Sequence, residues 1–261
     1  MTCLIVPDLP QFMNLSDNKN HLYNFLKNIE IKAIDSDKKY IDSYVLLTEQ
    51  MKETLNITSP FTVIEGISTT IFDDIKELEK LREVKTILYT GLLSKKYGIV
   101  DLIEAFKEIM DENLELVICG EGEAKDYILE QSVIDSRIIY KGLLERRDVL
   151  TLQKSSTVLV NPRTNNDSYT KYSFPSKILE YMSSGTPVIA YKLDGMPDEY
   201  SEYLYTVDNY SRNGLKMKIE EVLNKPQEEL SNMGMKARDF VLENKNKTVQ
   251  TKKILEMINN I

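Results

Sequence analysis

An α/β fold, built on a parallel sheet with helices on both faces, is what this 261-residue sequence predicts, and three observations carry the expectation. Short runs rich in Ile, Val, Leu and Tyr alternate from end to end with longer stretches of helical period, the pattern of stacked βαβ units. Glycine-bearing turns follow several of the apolar runs, as where a strand passes into a helix. The composition, 42% hydrophobic and 28% charged with no low-complexity tract or internal repeat, supplies enough apolar side chains for a buried core.

The strand-like runs fall at residues 3–6, 44–47, 61–64, 87–89, 116–119, 138–140, 157–160, 188–190 and 204–206. The first has no basic residues ahead of it and is stopped by Pro7 and Asp8, so it reads as a buried strand and not as a secretory signal. Residues 99–110 place Leu102, Ile103, Phe106, Ile109 and Met110 on one helical face and Asp101, Glu104, Lys107 and Glu108 on the other, as in a helix that packs on a sheet. The charged stretch 73–85, preceded by Gly66 to Thr70, fits a surface connector. It divides the chain into a partial unit at 1–72, holding three of the runs, and a larger unit at 86–261, holding six. From about residue 212 onward the pattern is helical, broken at Asn224 to Pro226.

Composition also narrows function. With 33 Lys+Arg against 41 Asp+Glu the net charge is −8, which argues against a broad nucleic-acid surface. Cys3 and Cys119 are too few for a disulfide framework and read as buried thiols of a cytoplasmic protein. His21 is the sole histidine, in a helical run beside Leu22, Phe25 and Leu26 where a packing role is favoured, so a His-based triad or metal site has almost nothing to draw on. No stretch approaches the roughly 18 apolar residues of a membrane span, which leaves at most peripheral membrane contact.

Four strand-end turns carry the candidate chemistry. Gly91, with Lys95, Lys96 and Gly98 behind it, lies between a strand and an amphipathic helix, where backbone N–H groups and the positive end of a helix dipole suit a phosphate. An ordinary glycine turn with solvated lysines fits the same residues. Cys119-Gly120-Glu121-Gly122 follows the next strand; the third glycine of a dinucleotide fingerprint would fall at Lys125, so a hydride cofactor is rejected and a pocket wall is expected. Asn161-Pro162-Arg163 leads through a polar loop to Ser173-Phe174-Pro175-Ser176-Lys177, where Pro175 suits a first helical turn and Ser173 or Ser176 a cap. A lysine in that turn opposes the helix dipole, a poor way to start a helix and a good way to bind a diphosphate. Lys177 would then take phosphate oxygens while Glu180, on the same helix face, accepts from sugar hydroxyls; a bare surface salt bridge between the two is the alternative. Asp194-Gly195 makes the fourth turn, and all four are expected to converge on one rim around a nucleotide-sized pocket.

Taken as an ordered set over residues 60–261, Tyr89-Thr90-Gly91 with Gly98, Cys119-Gly120-Glu121-Gly122, Tyr140-Lys141-Gly142, and Ser173 through Met182 with Gly185-Thr186-Pro187-Val188 resemble the donor-binding half of GT-B fold glycosyltransferases. The pattern is nearest to the retaining family 4 of bacterial capsule, exopolysaccharide and surface-glycan assembly. The resemblance implies two Rossmann-like domains with the active site between them and a nucleoside-diphosphate sugar as donor. It puts the helix N-terminus and basic residues on the diphosphate, Glu180 on the ribose, and the backbone around Lys141 and Gly142 along the nucleobase. Leu92 and Tyr97 occupy two positions that are basic in many members, which leaves Lys95, Lys96, Arg163 and Lys177 for phosphate. Tyr172 occupies the position of a sugar-contacting glutamate, a contact that then falls to Asp167 or the backbone. Asp8 stands at a strand end where such enzymes often place a catalytic or acceptor-binding group.

Two functions follow from the resemblance. One is a metal-independent glycosyltransferase acting in surface polysaccharide synthesis. The usual N-terminal domain is of about 100–200 residues, and roughly its first hundred have no counterpart, so the other is a donor-binding half that is inactive alone and pairs with a partner chain or with itself through its incomplete sheet. A sugar-nucleotide epimerase shares the architecture but would need His, Asp and Glu side chains around the sugar that the sequence does not show.

Overall fold

The computed structural model describes residues 1–9, 36–76, 84–165 and 169–261. His21, Asp167 and positions 77–83 of the charged connector lie outside the described residues. Strands β1 (Cys3–Val6), β2 (Ser43–Leu46) and β3 (Phe61–Val63) form one sheet in that order. Strands β4 (Lys85–Thr90), β5 (Leu114–Cys119), β6 (Ile138–Gly142), β7 (Val158–Asn161), β8 (Val188–Tyr191) and β9 (Tyr205–Val207) form a second, ordered β6-β5-β4-β7-β8-β9. Every ladder is parallel. These strands sit on the nine apolar runs, and β2 and β8 are buried along their whole length, as strands with both faces covered must be.

Besides short 3-10 turns, the described residues form the α-helices α1 (Met51–Thr54), α2 (Ile99–Lys107), α3 (Lys125–Ile134), α4 (Arg146–Ser155), α5 (Ser176–Ser183), α6 (Arg212–Leu223), α7 (Gln227–Asn244) and α8 (Lys247–Asn259). The apolar stripe of α2 buries Ile99, Leu102, Ile103, Ala105 and Phe106 against the larger sheet. The helix ends at Lys107, however, so Met110, expected on the same face, is left 93% exposed. The C-terminal region breaks not only at Pro226 but again at Lys245, where the Asn246 side chain starts α8 by accepting from the N–H groups of Thr248 and Val249 at 2.9 and 3.0 Å.

Four further expectations need correction. Strand β1, read as buried, leaves Leu4 38% and Ile5 65% exposed and buries only Val6. Cys119 is buried but Cys3 is half-buried, and both are free thiols. The connector is not wholly at the surface: Ile75 buries with Phe72 of the preceding unit against Leu150, and Lys154 donates to the Ile75 carbonyl at 2.7 Å. Strand β4 also begins inside the stretch assigned to the connector, at Lys85.

The fold positions a site in two ways. In the larger sheet the chain proceeds outward from β4 to β5 and β6, then returns to the far side of β4 with β7. Crossovers diverge at such a reversal and leave a crevice at the carboxyl ends of the two central strands. The smaller sheet, meanwhile, is tied to the larger unit near that end. Thr48, beyond β2, donates to the Lys171 carbonyl at 3.0 Å, and Gln50 donates to the Asp194 carbonyl at 2.7 Å. The segment after β3 docks on α7 and α8 through Ser68 N–H to the Lys245 carbonyl and Gln250 Nε2 to the Gly66 carbonyl, both at 2.8 Å.

Candidate functional site

The crevice between β4 and β7 is built from glycine turns. Gly91 (φ 146°) ends β4 and Gly120 (φ 139°) follows β5, both in backbone that only glycine adopts freely. A Cβ on Gly120 would stand 1.8 Å from the Gly91 carbonyl oxygen, so the two turns are packed backbone to backbone. Gly91 N–H donates to the Cys119 carbonyl at 3.0 Å and Gly120 N–H to the Gly142 carbonyl at 2.9 Å, lacing three strand ends together.

Helix α5 points its start into this crevice. Its N-cap is Pro175 (φ −74°, ψ 96°), with no side-chain cap and no acidic residue in the first turn. Neither Ser173 nor Ser176 caps it: the Ser173 hydroxyl instead accepts from Arg163 at 2.7 Å. Ile178 N–H donates to the Pro175 carbonyl at 2.8 Å, which leaves the Ser176 and Lys177 N–H groups as the donors of this helix N-terminus, with the Lys177 side chain adding a positive charge beside them. A Cβ placed on Gly91 would lie 3.9 Å from Lys177 Nζ, which puts that ammonium over the β4 turn. Arg163 approaches from β7, its guanidinium 5.4 and 5.1 Å from the ring centres of Tyr97 and Tyr169. Its Nε is buried without an acceptor among the described residues.

Gly91, Arg163, Phe174, Pro175, Ser176 and Lys177 line a cleft of about 210 Å³. An adjoining cleft of about 420 Å³ shares Gly91 and Lys177 and adds Gly120, Glu121, Leu143 and Glu180. Glu180 accepts from Gln153 at 2.7 Å and from Lys177 and Arg146, each at 3.3 Å. Burial raises its pKa, but the Lys177 charge, the Gln153 hydrogen bond and Arg146 together outweigh that and hold the carboxyl below its ordinary value. The i,i+3 pair of Lys177 and Glu180 is thus present, as one part of a wider network. Burial pushes the Cys119 thiol up to about 11, so this neighbour stays protonated at neutral pH.

Other candidates lie elsewhere. Lys95 and Lys96 are exposed on the helical turn Lys95–Tyr97 and line neither cleft; Lys95 N–H donates to Glu123 at 3.0 Å. Lys141 is exposed and Gly142 contributes only its carbonyl, while the cleft wall falls to Leu143, Leu144 and Val149. Tyr172 packs on the apolar cluster of the smaller sheet, outside both clefts. Asp8 is exposed beyond β1 and lines neither cleft. Three of the four turns converge; the fourth, Asp194-Gly195, instead helps to form a separate pocket of about 260 Å³ against Thr48, Glu49 and Gln50. Arg146 and Gln153 had no local signal, because α4 reaches Glu180 only through the sheet order that sets it beside β4. Among the described residues no group of three or more His, Cys, Asp or Glu side chains is placed to share a metal ion, and no helix is long and apolar enough to cross a membrane.

Residues 71–240 match the family described as glycosyl transferases group 1. The chain belongs to the glycosyl transferases group 1 family. The group 1 match runs from the approach to β4 into α7, so both clefts lie inside it. No curated protein sequence matches the chain. Solved structures with similar folds include a TarM variant of S. aureus in complex with fondaparinux, α-GlcNAc-glycerol and UDP, at 19% identity over 88% of this chain and 46% of that one, TM-score 0.68. Sucrose-phosphate synthase from Thermosynechococcus elongatus is similar at 17% identity over 99% and 68% of the two chains, TM-score 0.72. A UDP-forming α,α-trehalose-phosphate synthase from Burkholderia xenovorans is similar at 14% identity over 90% and 64%, TM-score 0.68. The group 1 chain therefore has the GT-B fold and spans between about half and two thirds of the length of these structures.

Proposed function

We propose that this group 1 chain moves a glycosyl group from a nucleoside-diphosphate sugar to an acceptor hydroxyl with retention at the anomeric carbon, as a family 4 enzyme of surface-glycan assembly working in the cytoplasm. The observation that carries the reading is the convergence of Lys177, Arg163 and the uncapped start of α5 beside Gly91, where the strand order reverses. In this reading the α5 N–H groups and the two cations hold the diphosphate. Glu180 takes the ribose hydroxyls, and Leu143, Leu144 and Val149 face the base. The bond from the anomeric carbon to the phosphate oxygen breaks, the nucleoside diphosphate departs with the bonding pair, and the acceptor oxygen bonds to that carbon and gives up its proton to the departing phosphate oxygen. Charge building on the departing oxygen is offset by the two cations and the helix dipole, so the reading needs no metal. Asp8, beyond the carboxyl end of β1, is our candidate on the acceptor side.

Thermal unfolding with UDP or GDP is the direct test. Saturation by one of them should raise the melting temperature by several degrees, as a ligand at about a hundred times its Kd does in a domain of this size. Lys177→Ala and Arg163→Ala should each weaken that nucleotide about tenfold, or ~1.4 kcal/mol. EDTA should leave binding and transfer unchanged. Absence of any shift with either nucleotide would remove the reading's support.

A further inference from the structure

We propose that Gln153 is the positioning residue of the donor site: its side-chain amide orients the Glu180 carboxylate for hydrogen bonds from the nucleotide's ribose hydroxyls. The inference rests on the nucleotide-sugar reading above. Gln153 lies on α4, fully buried, and lines neither cleft. Both hydrogens of its Nε2 are taken, one by Glu180 Oε1 at 2.7 Å and one by Thr90 Oγ1 at 2.9 Å. An ionised carboxylate only accepts, so the amide nitrogen is the end that must face it.

The other partners of Gln153 are themselves held. Thr90 N–H donates to the Tyr181 hydroxyl at 2.8 Å, and that hydroxyl donates to the Thr90 carbonyl at 3.1 Å. Tyr181 is buried next to Glu180 on α5, and Thr90 precedes Gly91 at the end of β4. The backbone carbonyl of Gln153 accepts from Thr186 Oγ1 at 2.7 Å. One amide thus links β4, α4 and α5 around a single carboxylate.

Gln153 Oε1, in contrast, is buried with no partner among the described residues. A buried acceptor left without a donor costs stability that an apolar side chain of equal length would not. Packing alone gives no reason for such an arrangement; presenting two N–H donors at fixed points does. Lys177 and Arg146 also reach Glu180, but their side chains are 35% and 63% exposed, and in the proposed function Lys177 turns to the diphosphate. Gln153 is then the donor that stays on Oε1 and leaves the remaining lone pairs to the cleft that Glu180 lines.

The test is calorimetric titration of the full chain with UDP, GDP and their 2′,3′-dideoxy counterparts. Wild type should bind the preferred ribonucleotide about tenfold more tightly than its dideoxy form. Gln153→Met keeps the length and removes the donors; it should lose about tenfold for the ribonucleotide and little for the dideoxy form, so that the ratio falls to about one. Equal weakening of both ligands, or an unchanged ribonucleotide affinity, overturns the inference. Should Gln153→Met not fold, Gln153→Glu sets a second carboxylate against Glu180 and must also collapse the ratio; a retained ratio again overturns it. If wild type binds neither diphosphate, the nucleotide reading itself falls. If it binds one without distinguishing ribose from dideoxyribose, the role of Glu180 falls, and the inference with it.

Discussion

Glu180 shows how residue-scale electrostatics work here. Its carboxyl is desolvated yet held below the ordinary 4.5, because Lys177, Gln153 and Arg146 favour the charged form. Glu65 behaves alike: burial raises its pKa, and the hydrogen bond and charge of Lys245, with backbone and Tyr200 hydrogen bonds, more than reverse that. A carboxyl whose folded pKa is depressed contributes stability in full above its unfolded value and loses it as pH falls through the folded one. Acid should therefore destabilise the protein below about pH 4.5. Melting curves from pH 6 to pH 3 should show wild type above Glu65→Gln at the upper end and the gap closing as pH falls. A gap that stayed constant would place the effect in packing and not in charge.

At the scale of elements, the β4 and β5 turns are constrained by contact as much as by φ. Gly120→Ala would drive a Cβ into the Gly91 carbonyl 1.8 Å away, in backbone alanine resists, and should cost about 2–4 kcal/mol in urea denaturation. Asn246→Ala, which removes the only side-chain cap on α8, should cost about 1 kcal/mol in the same assay. Helix α5 carries the opposite design. Its start has no side-chain cap and no acid in the first turn, so Ser176→Asp, which leaves the Lys177–Glu180 pair intact, should raise stability by about 0.3–1 kcal/mol while sharply weakening nucleotide binding. That divergence between stability and binding would mark the turn as built for an anion.

The molecule as a whole is fastened by a charged cluster between its two sheets. Lys245, at the end of α7, is 2% exposed and pairs with Glu65 beyond β3 and with Glu199 at 2.5 Å, over the rings of Tyr200 and Phe240. Tyr200 OH donates to Glu65 at 2.8 Å. Losing one partner strands the other charges, so Lys245→Met should cost about 3–5 kcal/mol in chemical denaturation. This linkage brings residues more than a hundred positions apart into one junction, and no local pattern in the sequence marked it.

The nine strands, the strand-end glycines and the spacing of Lys177 and Glu180 were legible along the chain because each depends on neighbours within a few residues: apolar period, positive φ, one helical turn. The rest was decided by the order of strands in the sheet. That order brings β7 beside β4, and with it Arg163 onto the ring of Tyr97. It sets Gln153 and Arg146 of α4 against Glu180, gives the cleft wall to Leu143 and Leu144 and not to Lys141, and turns Tyr172 away toward the smaller sheet. Local propensity places elements; which side chains meet across them follows from long-range pairing, whose information is spread over the whole chain.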